Sequence, residues 1–588
     1  MSRLPTFFAL FAFAALSVVS AQPSSTATFA LDDLRAGQRG EVWTVFRGTE
    51  PEPFAVEVTG VVRNALGPGK ALILCQLTDP RVQNMGAVAG MSGSPLYIDG
   101  KLAGALSYQI QRFETVRYAG FTPAADLAEV QAKASTDLRA EPVSLNADSP
   151  YKSLQPVFTL SGLSPAVAEL FGPRFAALGL VATALGGSTN SSSSSSQPSP
   201  LNSAALRAGS AVSVALTTGD ITLAGTGTVS SVTGNHITAF GHPMLSLGDV
   251  DLPMCAAEIV TILPSSMQSI KVANTGPVIG TISQDRLSAV SGTLGAGPAM
   301  TSVEVTVHPL NSVPRTLHFA VARQQQLTPV LIATGVTQAI LGANDAGLAN
   351  GFRLTSDITF PATPEQAERA VSKLATKTVY SGPQGFQQGL SEFVQSLAAN
   401  LQNPYSKTFP DHVSFSVEPL TENPAVTIDL FQLSRAAVRG GETMQVSLAW
   451  RDYQGAAHRE TIDLPISSAW AGKKVEVILA PGRVLDELTG RPRVIAASEL
   501  RSFDAYLAAL RDDRPNDGLC LAVVEQTEMF SDQTVATPEA PGSISRIARA
   551  ADEARFQTRS AVLPLWEKHV LAGKLAVAVI RRPLRIVE

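Results

Sequence analysis

Residues 90–108 read GMSGSPLYIDGKLAGALSY, and this stretch decides how the first part of the chain folds. Its Gly-x-Ser-Gly turn places Ser92 between glycines, which let the backbone bend sharply and point N–H groups at one spot beside the hydroxyl. Asp99-Gly100 is a strong hairpin signal, so strands are predicted at 95–98 and 101–108. A serine nucleophile beside an oxyanion pocket needs this arrangement. A Gly/Ser-rich hairpin without chemistry would have the same local sequence.

The segments on both sides of this stretch also indicate strands. Residues 54–58 alternate apolar and polar side chains, and residues 71–77 form a more continuous apolar run, as in a buried strand. Strand patterns return at 205–320, where Gly241-His242-Pro243 directly follows the apolar run 237–240. Because glycine and proline flank this histidine at a strand end, we expect the local backbone to fix its position.

Composition excludes several functional classes. The 588 residues predict three or four domains. The 45 Lys and Arg nearly balance the 50 Asp and Glu without a dense basic block, which argues against a nucleic-acid partner. The seven histidines are dispersed without paired ligand spacing, so neither a metal nor another cofactor is expected. Cys75, Cys255 and Cys520 can form one disulfide at most.

The N-terminus predicts a signal peptide over residues 1–21. Arg3 precedes an apolar run at 7–19, and Val19-Ser20-Ala21 fits a small-residue cleavage site. The run is short for a membrane span, although an uncleaved anchor is the alternative. No later stretch reaches spanning length. We therefore expect an exported protein, periplasmic or extracellular, without a transmembrane segment in the mature chain and with a possible partner in the cell envelope.

The remaining chain divides by changes in pattern. A serine-rich run at 187–200 cannot bury a core and predicts a flexible linker. Apolar residues at helical spacing over 390–401 predict a helix, and alternating runs from His412 predict a β-sandwich. The predicted units follow the signal peptide in this order: a Ser92-bearing β half at 35–135, a connecting region at 136–204, a His242-bearing β half at 205–360, a helical connector at 361–405, a β-sandwich module at 406–490 and a mixed α/β C-terminal region at 491–588.

Several of these stretches resemble one family. Gly-Met-Ser-Gly-Ser-Pro at 90–95, followed by Asp-Gly-Lys-x-x-Gly-Ala, looks like the signature of the SpoIVB-type serine peptidases. Residues 77–82, LTDPRV, resemble the family stretch that carries its proposed aspartate. The blocks 225–229 and 238–242 resemble the half that carries the catalytic histidine, and residues 278–282 fit that half as well.

The resemblance implies a chymotrypsin-like double β-barrel with its halves in permuted order. In the family the histidine half precedes the serine half, whereas here Ser92 comes before His242. The overall expectation is a mainly β protein, in which this double barrel is followed by a β-sandwich module and an α/β C-terminal region.

Carried over residue by residue, the resemblance gives a Ser-His-Asp triad. Ser92 would be the nucleophile, His242 the general base and Asp79 the orienting carboxylate. The backbone N–H groups of Gly90 and Ser92 would form the oxyanion hole. Ser107 and Tyr108 would line a cleft whose strand edge pairs with an extended peptide. The substrate would be a protein or peptide.

Alternatives exist for each role. Ser94 is a second candidate nucleophile and His236 a second candidate base, but His236 follows a Gly-Asn turn and is expected to be exposed. Asp249 and Asp251 compete with Asp79, because they lie in the histidine's own half. Two functions fit the sequence: an exported serine endopeptidase, and a catalytically inactive, peptidase-like envelope protein that binds or scaffolds.

Overall fold

The fold is that of a computed structural model, which describes residues 27–110, 116–132, 151–154, 158–178, 180, 182–183, 187–188, 206–265, 269–342, 349–361, 372–402, 408–473, 475–489, 507, 514–531, 536–538 and 557–587. Within these residues the protein is mainly β, with two barrels, a sheet that extends the second barrel, and a β-sandwich. The predicted signal peptide, residues 1–21, lies outside them, as do residues 189–200 of the predicted linker.

The first barrel holds Ser92 and closes through six antiparallel strands. Apolar side chains on these strands pack into a single core, which contains Val42, Val56, Ile73, Leu96 and Phe121. Neighbours run in the order β1-β2-β3-β6-β5-β4, and β4 pairs again with β1 to close the ring. The elements are β1 (Arg39–Thr44), β2 (Glu52–Gly67), β3 (Lys70–Leu77), α1 (Pro80–Met85), β4 (Pro95–Ile98), β5 (Lys101–Ile110), β6 (Tyr118–Pro123) and α2 (Ala124–Ala132).

The predicted hairpin at Asp99-Gly100 is confirmed. Ile98 pairs with Lys101, and both turn residues have positive φ angles, 49° for Asp99 and 75° for Gly100. Such a turn matches the right-handed twist of the strands that it joins, which is why Asp-Gly is favoured in it. The hairpin pairs β4 with β5 in the barrel wall. The serine turn, residues 90–94, therefore lies beside the end of β5.

The second barrel holds His242 and has the same closed plan. Its strands run in the order β11-β14-β15-β16-β13-β12, and β12 pairs again with β11. Short elements lead into it from the first barrel. They are β7 (Tyr151–Ser153), β8 (Phe158–Ser161), α3 (Pro165–Ala177), β9 (Ala182–Thr183) and β10 (Gly187–Ser188), and the barrel strands are β11 (Ala211–Gly219), β12 (Thr222–Thr233), β13 (His236–Ala239), β14 (Gly248–Leu263), β15 (Ile270–Arg286) and β16 (Ala289–Leu294).

A sheet extension grows from β11 and is covered by helices. The order β11-β18-β17-β21-β19-β20 continues the second barrel outward. The extension consists of β17 (Met300–Val307), β18 (Arg315–Ala322), α4 (Leu327–Leu341), β19 (Phe352–Phe360), β20 (Ser372–Tyr380), α5 (Gly382–Leu401) and β21 (His412–Pro419). The predicted helical stripe is confirmed on α5, where Leu390, Leu397 and Leu401 are buried. The prediction that β21 opens the sandwich is wrong, because β21 pairs with β17 and β19.

The β-sandwich combines two stretches of sequence. The sheet β22-β24-β25 packs on the sheet β23-β30-β26-β27-β28, with β29 also paired to β27, around a shared core that includes Phe431, Leu448 and Val477. Much of the predicted α/β C-terminal region therefore supplies strands to the sandwich. The elements are β22 (Val426–Leu433), β23 (Ala437–Arg439), β24 (Thr443–Asp452), β25 (Ala457–Pro465), β26 (Val475–Ala480), α6 (Gly482–Leu488), β27 (Leu519–Ser531), β28 (Ala536–Pro538), β29 (Gln557–Val570) and β30 (Ile580–Val587).

Three further observations concern the residues that the structure describes. Cys75, Cys255 and Cys520 are buried and free. Among the described residues, none of the helices has the length and apolar character needed to cross a membrane. The same residues contain no cluster of His, Cys, Asp and Glu that could hold a metal ion.

Candidate active site

The serine turn lies where the two barrels meet. The Thr228 N–H of β12 donates to the carbonyl of Ser92 at 2.8 Å, and the Thr228 hydroxyl donates to the carbonyl of Gly90 at 3.0 Å. The Ser230 hydroxyl donates to the carbonyl of Gly93 at 2.8 Å. The second barrel therefore fixes the backbone of the turn on both sides of Ser92.

Gly93 is required by both conformation and space. Its φ is 94°, and a Cβ built on it would stand 1.9 Å from the Thr228 carbonyl oxygen and 2.4 Å from the Phe240 nitrogen. Any side chain at this position would push the barrels apart. The close approach brings the backbone next to Ser92 against the residues that immediately precede His242.

The predicted oxyanion donors, the N–H groups of Gly90 and Ser92, belong to the turn that carries Ser92. Within the turn, the Met91 N–H donates to Val88 and the Gly93 N–H donates to Leu106. The N–H groups of Gly90 and Ser92 make no hydrogen bond to any residue that the structure describes. Two such unengaged donors on one turn are what an oxyanion hole supplies to a developing negative charge.

His242 sits in a constrained loop directly after β13. Phe240 and Gly241 both have a φ of 68°, which turns the chain sharply at the strand end. The carbonyl of Pro243 lies 2.7 Å from His242 Nδ1 and accepts a hydrogen bond if that nitrogen carries the proton. In this tautomer Nε2 is left as the acceptor, which is the form that a general base requires.

Burial determines the charge of His242. Its side chain is fully buried, and this burial lowers the pKa of His242 to about 4, although hydrogen bonds with the backbone of Pro243 and Leu154 act in the opposite direction. The imidazole is therefore neutral at pH 7. A neutral imidazole can take a proton from a serine hydroxyl.

The structure brings Ser92 and His242 to the same interface without joining them. A Cβ on Gly241 would lie 2.5 Å from Ser107 Oγ, and the Thr122 hydroxyl donates to the Gly241 carbonyl at 2.6 Å. Ser92 Oγ and His242 Nε2 are both buried, and neither has a hydrogen-bond partner among the described residues. No hydrogen bond therefore joins the predicted nucleophile and the predicted base in this conformation, and hydrogen bonds of this kind are often long without substrate.

Asp79 does not contact His242. Its carboxylate caps the N-terminus of α1 by accepting from the Arg81 N–H at 2.8 Å, and it also accepts from the Arg81 guanidinium. Partial burial alone would raise the pKa of Asp79, but the hydrogen bonds and charge of Arg81 outweigh it and lower the pKa. In this structure the His242 ring interacts with the backbones of Pro243 and Leu154, whereas the Asp79 carboxylate is bonded to Arg81.

The alternative candidates have other roles. The Ser94 hydroxyl donates to the Met91 carbonyl at 2.6 Å and so closes the serine turn. His236 is exposed, as expected. Asp249 forms an ion pair with Arg286, and Asp251 is exposed.

Sequence reasoning missed Asp285, the carboxylate that holds the loop after His242. One oxygen accepts from the Met244 N–H at 2.7 Å, and the other accepts from the N–H groups of Leu245 and Leu247. Burial raises the pKa of Asp285, while these backbone hydrogen bonds oppose the change. A carboxylate one residue before the end of β15 was the available signal.

Lys271 was also missed, and it lies behind the serine turn. A Cβ on Gly90 would stand 2.9 Å from the Lys271 Cβ, so the lysine stem packs directly on this glycine. Lys271 Nζ donates to Thr44 Oγ1 at 2.8 Å inside the protein. Burial lowers the pKa of Lys271 to about 7. The backbone N–H of Lys271 donates to Ala89, so β15 supports the turn as well.

The predicted cleft residues lie on the strand beside the serine turn. The Ser107 hydroxyl donates to the Ala105 carbonyl and accepts from the Thr122 N–H. Tyr108 is fully buried, and this burial raises the pKa of its phenol. The edge of β5 at these residues is occupied by β7, whose Ser153 pairs with Tyr108.

Comparison with known proteins gives one family. The model of the SpoIVB peptidase S55 family matches residues 16–121, a range that includes Ser92 and most of the first barrel. Searches of curated proteins and of solved structures found no match to the chain. The match assigns a SpoIVB-type peptidase domain to this part of the chain.

Proposed function

We propose that this protein, whose residues 16–121 carry a SpoIVB-type peptidase domain, is a serine endopeptidase that uses Ser92 and His242. The observation that carries the proposal is the junction of the two barrels. It combines Ser92, a neutral His242 and the N–H groups of Gly90 and Ser92; among the described residues, His242 Nε2 and these two N–H groups have no hydrogen-bond partner. These are the parts that acyl transfer by a serine requires.

The reaction follows from these positions. Ser92 Oγ attacks the scissile carbonyl carbon while its proton passes to His242 Nε2. The N–H groups of Gly90 and Ser92 stabilise the oxyanion of the tetrahedral intermediate, an effect worth about 3–4 kcal/mol for a single donor. His242 then gives the proton to the leaving amine, and an acyl-enzyme remains on Ser92. Water, deprotonated by His242, releases the acid product and restores the serine.

His242 and the loop around it provide the orientation that a third triad member usually gives. The Pro243 carbonyl holds Nδ1, and Asp285 fixes residues 244–247 through their N–H groups. The interpretation of Asp79 as the third member has no support from its contacts, since its carboxylate is bonded to Arg81.

Export follows from the sequence and forms part of the proposal. Residues 1–21 have the features of a signal peptide, and the substrate would be a protein or peptide in the periplasm or outside the cell. Mass spectrometry of the protein secreted by its host would detect cleavage after Ala21. Retention of residues 1–21 on the exported chain would contradict this point.

Reaction with a fluorophosphonate tests the proposal. The folded wild-type protein is expected to be labelled, and Ser92→Ala and His242→Ala are expected to lose the label. Ser94→Ala is the matched control on the same turn, and it should keep most of the labelling if it folds. A well-folded wild-type protein that stays unlabelled would contradict the proposal.

A second function has its own supporting observation. The side chains of Ser92 and His242 are both fully buried, and no hydrogen bond joins them. A catalytically inactive peptidase-like protein that binds or scaffolds in the cell envelope would also bury these groups. The labelling experiment separates the two functions, because only the peptidase has a serine that becomes accessible to the probe.

A further inference from the structure

The strand β7 occupies an edge that an extended peptide could use. It pairs antiparallel with β5, through Ser153 opposite Tyr108, Lys152 opposite Gln109 and Tyr151 opposite Ile110. At Tyr108 and Gln109 the other edge of β5 is already paired with β6. A peptide that adds a strand to β5 near the serine turn therefore has to take the place of β7.

Leu154, the residue after β7, extends the pairing with β5 towards the candidate active site. The Leu154 N–H donates to the Ser107 carbonyl at 2.9 Å, one step nearer the serine turn than the last paired residue. The backbone of Leu154 also interacts with the His242 ring. Residues 151–154 thus run along β5, and the last of them lies beside the His242 ring.

The Leu154 side chain fills an apolar place beside the site. It is fully buried in the core cluster of the first barrel, which also contains Met91 from the serine turn and Leu106 from β5. Burial of a leucine side chain away from water is favourable. β7 has three residues, and the buried Leu154 side chain directly follows them.

We propose that residues 151–154 occupy the substrate position, so that substrates are extended peptides that pair with residues 107–110 and place a leucine-sized apolar side chain where Leu154 lies. The proposal rests on the proposed function for the chemistry and adds the substrate class. The tethered segment competes with substrate at the high effective concentration of an intramolecular ligand. Its displacement would remove the Leu154 backbone from the His242 ring.

Substitution of Leu154 tests the competition. Leu154→Asp places a charge in the apolar site and is expected to release the segment. Hydrogen exchange of the backbone at 107–110 should then speed up, and the rate of fluorophosphonate labelling should rise at least tenfold. Leu170→Asp is the matched control, because Leu170 is an exposed leucine on α3. Leu154→Gly, which removes the side chain without adding a charge, is measured in the same way and should change both quantities in the same direction even if Leu154→Asp does not fold.

Peptide binding tests the substrate class without any catalysis. The tetrapeptide acetyl-Tyr-Lys-Ser-Leu-amide, which copies residues 151–154, is titrated into Ser92→Ala carrying either Leu154 or Leu154→Gly. Binding at least tenfold tighter to the Leu154→Gly form is expected, and a peptide ending in Asp should lose it. Equal binding of the Leu and Asp peptides, or unchanged exchange at 107–110 in both Leu154 variants, would overturn the inference.

The two proposals fail in different ways. Labelling of wild type that no Leu154 substitution accelerates would leave the peptidase standing and remove the competing segment. Specific peptide binding with no labelling of any variant would support the peptide site and contradict the peptidase.

Discussion

The Asp285 carboxylate accepts a 2.7 Å hydrogen bond from the backbone N–H of Met244, two residues after His242. The same carboxylate accepts from Leu245 and Leu247, so a single buried side chain fixes the loop that follows the base. The loop has little regular structure of its own. The position of the imidazole therefore depends on a strand end 43 residues farther along the chain.

Asp285→Asn should impair catalysis through the position of His242. An amide has one acceptor oxygen and would meet N–H donors with its own NH₂ group, so part of the loop is left without an acceptor. We expect kcat to fall about 10- to 100-fold with little change in KM. Peptide hydrolysis measured on the folded variant checks this. Asp251→Asn, an exposed acid in the same barrel, is the control and should leave kcat unchanged; equal effects of the two would contradict the role of Asp285.

The pH dependence of labelling should reflect the low pKa of His242. Because the pKa is about 4, the imidazole stays neutral between pH 7 and pH 5, and labelling should lose its rate only near pH 4. Folding stability follows the same sign. Below about pH 6.5 the His242 side chain binds a proton in the unfolded chain, whereas in the folded chain it stays unprotonated down to about pH 4. The free energy of unfolding therefore falls as the pH drops through this window. An acid limb centred near pH 6.5 would contradict the buried, neutral histidine.

Lys271 should make stability depend on pH on the alkaline side. Its pKa is about 7 in the folded protein and about 10.5 when unfolded, so between these values the unfolded chain binds more protons. Stability should therefore rise with pH by up to about 1.4 kcal/mol per unit from this residue. Between pH 7.5 and pH 9.5, the midpoint temperature of thermal unfolding should rise for the wild type relative to Lys271→Met. Lys101→Met, at an exposed position on β5, should show no such divergence from wild type.

Gly93→Ala should separate the barrels, whereas Gly100→Ala should not. Both glycines have positive φ angles, 94° and 75°, so alanine is strained by about 1 kcal/mol at either position. Only Gly93 lacks room, because its Cβ would stand 1.9 Å from the Thr228 oxygen, while nothing lies within 4 Å at Gly100. We expect Gly93→Ala to cost at least about 3 kcal/mol more, measured by thermal unfolding. Similar midpoints for the two variants would show that the barrels do not meet at Gly93.

The sequence allowed the local elements of the site to be predicted. Asp99-Gly100 specifies its hairpin through two adjacent residues with positive φ, and Gly241-His242-Pro243 marks the end of β13. Both signals act within a few residues. The double barrel followed from the resemblance of residues 77–105 and 225–242 to the SpoIVB-type peptidases, and the two closed six-stranded rings agree with it.

Relations between distant residues could not be predicted in this way. An alternating pattern at 412–419 shows that β21 has a buried face, but it does not say that β17 and β19 are the partners. The pairing of β7 with β5 and the hold of Asp285 on the loop after His242 likewise depend on tertiary contacts. Asp79 was misleading, because a carboxylate before proline at a helix start is also an ordinary N-cap.

The proposal that Ser92 is the nucleophile is tested most directly by locating the covalently modified residue. Wild-type protein is treated with a fluorophosphonate at pH 7, digested and sequenced by mass spectrometry. The account predicts one phosphonate per chain, attached to Ser92, and no adduct in folded His242→Ala. Folded protein without an adduct, or an adduct on Ser94 with Ser92 unmodified, would contradict it.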